Sequence, residues 1–127
     1  MSVLLLMAMG GALGTLARYG LGGWIQEQAG SAFPWGTLLV NITGSLLLSF
    51  TFRWLEQLPV AAEWRTTIGI GFCGAYTTFS TFSYETVRLL EDGQFRRASI
   101  YIAASVTFSL IAALAGFRLA ALVLRKG

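Results

Sequence analysis

The chain has 127 residues, 55% of them hydrophobic and 12% charged, with no histidine and one cysteine. An ordinary soluble domain carries about 25% charged residues, so a chain with a mean hydropathy of +0.66 reads as one whose solvent is lipid. The lack of histidine excludes an imidazole metal site, proton relay or triad. The lone Cys73 excludes an intrachain disulfide, and nine scattered basic residues make no nucleic-acid surface.

Taken in order, four windows are long enough to cross a bilayer core of about 30 Å, which needs about 20 helical residues. They cover 4–25, 35–55, 66–90 and 98–124, and a single four-helix transmembrane domain over 1–127 is expected. The first lacks a basic segment ahead of its apolar run and is expected to be a retained span, not a signal peptide. The second starts after Pro34, which suits a helix start. The connections "QEQAGSAFP", "EQLPVAAEWR" and "EDGQFRR" hold the charge, Pro and Gly of turns at a water interface. Trp24, Trp35, Trp54 and Trp64 fall near span ends, as an aromatic belt would. Gly10 and Gly14 form a GxxxG in the first span, and Gly69, Gly71 and Gly74 line the third, so helix backbones can approach closely.

Four spans put both termini and the second loop on one side. Arg53, Arg65, Arg118, Arg125 and Lys126 lie towards that side, and Arg18, Arg88, Arg96 and Arg97 towards the other: five against four. The positive-inside rule has little to act on. Either other features orient the chain, or it inserts both ways.

Polar groups at membrane depth face the protein interior or a water path. Arg18 lies about 10 Å inside the first span at 1.5 Å per residue. It either snorkels to the interface or attracts anions. Asn41, one turn after Thr37, is either a helix–helix hydrogen bond or a donor in a pathway. The stretch "GAYTTFSTFSYE" (74–85) concentrates hydroxyls inside the third span. Its β-branched Thr77 and Thr78 follow Gly74, so a helix break is expected there. Such a break is tolerated only where the freed backbone is buried or lines a cavity, and freed carbonyls can hold a cation. Phe79 and Phe82 share one helical face, and the positive edge of an aromatic ring can meet a dehydrated anion. The alternative for the pair is plain packing. Glu85 closes the stretch near the interface. Tyr101, Ser105 and Ser109, each four apart, form a polar stripe on the fourth span.

"GAYTTFSTFSYE", "GTLLVNITGS" and "GGALGTLARY" together resemble the Fluc (CrcB) family of fluoride channels over essentially the whole chain. One departure is Ala75-Tyr76, where relatives often have a second Gly and an aliphatic residue. The resemblance implies an all-α membrane protein with a broken third helix, forming an antiparallel, dual-topology homodimer with two pores. It implies passive fluoride export across the bacterial cytoplasmic (inner) membrane. By motif, Asn41 would be the pore amide, and Phe79 and Phe82 the rings whose edges meet fluoride. Thr37, Tyr101, Ser105, Ser109 and Glu85 would form the polar track, with Arg18 near the aqueous vestibule. Gly74 and Thr77 would offer backbone carbonyls to a structural sodium ion at the dimer interface. A proton-coupled small multidrug transporter is the rival, but it needs a carboxylate deep in the first span, where this chain has Arg18. A non-conducting assembly subunit would leave the polar stripes unexplained. No nucleophile–base pair suggests an enzyme.

Overall fold

A computed structural model describes residues 2–127, and every regular element among them is helical. Helix α1 (Val3–Ala29) starts at Ser2, whose hydroxyl accepts from the Leu5 N–H, and stops at Gly30. Gly30 takes a φ of 55°, a left-handed stop that a glycine adopts without steric cost. The turn that follows is organised by one side chain. Gln26 Nε2 donates to Ser31 O (2.8 Å) and Phe33 O (3.1 Å), and its Oε1 accepts from Gly36 N (3.1 Å). Helix α2 (Trp35–Leu55) begins there, behind Pro34.

Helix α3 is composite: Ala62–Arg65 is α-helical, Thr66–Cys73 is π-helical and Gly74–Tyr76 returns to α. Helix α4 (Phe79–Glu91) follows after two extended residues, and α5 (Phe95–Lys126) completes the chain. Among the described residues three helices, α1, α2 and α5, are each long and apolar enough to cross a membrane. The other expected crossing is divided between α3 and α4. The helices outrun their apolar windows at several ends, because flanking residues such as Gln26, Glu63 and Arg96 continue them.

Packing is interleaved. α1 lies chiefly against α3, and α5 runs along α2. The α1–α3 contact is backbone to backbone. A Cβ on Gly14 would sit 2.2 Å from Phe72 O, and one on Gly10 2.6 Å from Thr67 O. The GxxxG of the first span is thus seated on the π-helical stretch. Large apolar side chains such as Leu4, Leu13, Leu16, Ile70, Leu110 and Leu122 point outwards, as do all four tryptophans. A soluble protein rarely exposes so much contiguous apolar surface, so the exterior suits lipid or another apolar chain.

Candidate functional site

The site is built on the junction between α3 and α4. Thr77 (φ −86°, ψ 158°) and Thr78 (φ −152°, ψ 113°) are extended. Thr77 closes α3, its N–H and its hydroxyl both donating to Cys73 O at 3.0 Å. The next N–H leaves the helix. Thr78 N donates to Asn41 Oδ1 (2.7 Å), and Asn41 Nδ2 donates back to Thr78 O (3.0 Å). One side-chain amide on α2 therefore stands in for a strand neighbour and satisfies both backbone groups at the break. A primary amide has two N–H groups, so one remains for the space beside it. Thr78 also caps α4: its hydroxyl accepts from Thr81 N (3.1 Å) and donates to Thr81 Oγ1 (3.0 Å).

Asn41 opens onto a groove of about 310 Å³. Phe79 and Phe82 stand on its wall, their centroids 5.5 Å apart and planes at 49°. Ser45, Thr77, Thr78, Ser105 and Ser109 line it as well, the Ser45 hydroxyl donating to Asn41 O (2.8 Å). Ser105 Oγ is buried and meets no hydrogen-bond partner among the described residues. Phe79 is 78% exposed, while Phe82 turns inwards and meets the Tyr101 ring edge-on at 5.1 Å.

Beyond Phe82 the polar groups converge on Glu85. Its Oε1 accepts from Thr37 Oγ1 (2.7 Å) and its Oε2 from Tyr101 OH (3.0 Å). Tyr101 has no exposed surface, and the loop residue Phe33 packs edge-on against it at 5.5 Å. The sequence reading set Glu85 near the interface. The structure turns its carboxylate inwards, where the buried Tyr101 hydroxyl and the half-buried Thr37 hydroxyl need an acceptor, and a cavity of about 160 Å³ beside Arg88 and Asp92 reaches it from outside.

Arg18 lies elsewhere. It lines a separate basin of about 300 Å³ with Thr37, Thr78 and Thr81, and its Nε is buried without a protein partner. Thr78 lines both the basin and the groove, so the break forms the partition between them.

Comparison with known proteins assigns the family. The family described as CrcB-like protein, Camphor Resistance (CrcB), matches residues 5–117. A fluoride-specific ion channel FluC of Thermus thermophilus is 45% identical over 115 residues, 91% of each chain. The protein of that name from Rhizobium meliloti is 45% identical over 120 residues, 94% of this chain and 96% of the relative. That from Geobacter sulfurreducens is 47% identical over 117 residues, 91% of this chain and 94% of the relative.

This chain belongs to the CrcB family.

Within this CrcB chain the residues singled out from sequence fall into four groups. Asn41, Phe79, Phe82, Ser105 and Ser109 share the groove. Thr37, Tyr101 and Glu85 form a hydrogen-bonded cluster that touches the groove residue Phe82 through Tyr101. Arg18 meets them only through the basin it shares with Thr37. Gly74 lies in the last turn of α3, and Thr77 begins the break and also lines the groove. Sequence reasoning missed Thr43, whose hydroxyl meets Tyr76 OH, and the organising roles of Gln26 and Phe33. Only Pro34 after Phe33 gave any signal, and it marked a helix start.

Proposed function

We propose that this chain conducts fluoride passively out of the cytoplasm through the groove beside the helix break. The observation that carries the reading is that two phenyl rings, Phe79 and Phe82, and the neutral polar side chains of Asn41, Ser105 and Ser109 line one groove. A small anion holds water strongly, so a membrane path must replace that water with donors. Neutral hydroxyl and amide donors do this without the deep trap of a fixed cation, which suits binding weak enough for release. Ring edges add a partial positive charge without hydrogen-bonding. Thr37 and Tyr101 continue the polar side chains to Glu85, to which both hydroxyls donate, and Arg18 in its basin raises the local concentration of anions. Relatives named fluoride-specific ion channels support the choice of ion. The family is one of channels, not enzymes.

The working unit in this reading is an antiparallel homodimer with two pores in the bacterial cytoplasmic membrane. The near-equal basic counts favour insertion in both orientations, and the exposure of Phe79 on a single chain favours a partner beside the groove. A structural sodium ion at the interface fits the backbone. The N–H that would continue the helix onto Gly74 O is taken by Asn41, and the one that would reach Thr77 O is taken by the Thr78 hydroxyl. Neutral carbonyl oxygens of this kind suit a hard cation. When bound, such an ion supplies positive charge to carbonyl dipoles that have lost their donors. Exchanging sodium for a bulky organic cation should lower the thermal midpoint of the purified protein; an unchanged midpoint would remove the ion from the account.

The decisive experiment uses liposomes holding only this protein. With a potassium ionophore to carry counter-charge, fluoride should leave while chloride stays. Equal loss of both ions, or full-rate efflux without the ionophore, would overturn passive fluoride conduction.

A further inference from the structure

We infer that Tyr76 and Thr43 form a positioning pair that fixes where the third crossing breaks, and through it the place of the Phe79 ring. The inference rests on the conduction reading above. Tyr76 is the last residue of α3 and only 6% exposed. Its hydroxyl lies 2.9 Å from Thr43 Oγ1 on α2. Thr43 directs its own proton to Leu39 O at 2.8 Å, so Tyr76 donates and Thr43 accepts. The Tyr76 ring is held flat between two surfaces. It stacks on Phe72 at 5.9 Å and 9°, and it lies so near α2 that a Cβ on Gly44 would come within 2.9 Å of its Cδ1.

Asn41, Thr43 and Gly44 occupy about one turn of α2, at 3.6 residues per turn. That turn grips three consecutive residues of the junction. Asn41 holds Thr78 through two hydrogen bonds. Gly44 leaves room for the Thr77 methyl, which a Cβ would approach to 2.2 Å. Thr43 holds Tyr76. With Asn41 alone, the extended pair could pivot about Thr78. A second fixed point two residues earlier removes that freedom, and Phe79 follows Thr78 directly. Tyr76 does not line the groove, so any effect on conduction passes through position.

The test compares the parent with Tyr76→Phe, Thr43→Val, the double variant and Thr43→Ser. Unitary fluoride currents in planar bilayers report only on assembled channels, so a loss of folded protein does not alter them. Each single variant should lower unitary conductance about threefold or more, and the double should be no lower than the worse single, as expected when both changes delete one hydrogen bond. Thr43→Ser keeps the acceptor and should match the parent. Amide hydrogen exchange across residues 76–79 should quicken about tenfold in both single variants while exchange in α5 is unchanged. A parent without fluoride current would sink the conduction reading and leave the exchange result to judge the pair. Unchanged exchange overturns the pair. Faster exchange with parental conductance, or additive losses in the double, overturns its positioning role. If Tyr76→Phe does not assemble, Thr43→Val decides; failure of both assigns the hydroxyls to folding alone and overturns the inference.

Discussion

At the scale of single residues, the two phenylalanines have different environments despite their shared face. Phe82 is locked between Phe79 and Tyr101, while Phe79 is largely uncovered on one chain. Phe79→Ile keeps much of the volume and removes the ring edge. Fluoride efflux from liposomes should fall about tenfold, the equivalent of about 1.4 kcal/mol, while the protein still purifies folded. Unchanged efflux would return the pair to packing. Ser105 offers a cleaner separation of fold from function. Its buried hydroxyl makes no hydrogen bond to protein, so Ser105→Ala deletes a donor without orphaning a neighbour. Thermal stability should hold or rise slightly, and fluoride efflux should drop several-fold. A fall in stability with efflux retained would mean that the hydroxyl serves the fold. Hydroxyls were the most legible signal at this scale, because a polar group at membrane depth is costly and faces the interior or a water path; the phenyl pair was not, because a ring is at home in lipid whether it packs or meets an anion. The orientation of Glu85 was not legible, because its two donors lie 48 and 16 residues away in the chain.

At the scale of elements, α1, α2 and α5 could be read from length and apolarity, since a bilayer sets both. The break could be read from two β-branched residues behind a glycine. The π-helical run of Thr66–Cys73 could not. Its apolar residues carry no distinctive period, and its widened turns are seen only with the α1 glycines seated on them. Asn41 was ambiguous between a helix–helix bond and a pathway donor. The structure gives it backbone bonds to Thr78 across 37 residues and still leaves one amide hydrogen towards the groove. Asn41→Leu should therefore damage more than permeation. It strands a backbone N–H and a C=O in a half-buried junction, each at a cost of up to about 1–3 kcal/mol. A clear fall in the thermal midpoint is expected beside the loss of efflux, and parental stability in that variant would show that the junction finds other partners.

At the scale of the whole molecule, orientation rests on a narrow margin of basic residues. Adding Lys and Arg at one end of the chain should trap one orientation and abolish efflux when that variant is expressed alone. Co-expression with a variant biased the opposite way should restore it. Single cysteines placed at position 127 and labelled from each side of intact cells offer the direct check. Labelling from one side only, with full activity in the parent, rules out the antiparallel arrangement. The interleaved packing of α1 on α3 and α2 on α5 bears on how the chain is made. The ribosome releases α2 long before α5, so the most extensive face of α2 waits in the bilayer for the last segment to be synthesised. Lipid must shield that face in the meantime, since contacts of high sequence separation form late. A nascent chain stalled before residue 95 would have its break residues already made and no finished bundle to hold them, which makes the last helix the step that commits each copy to its final shape.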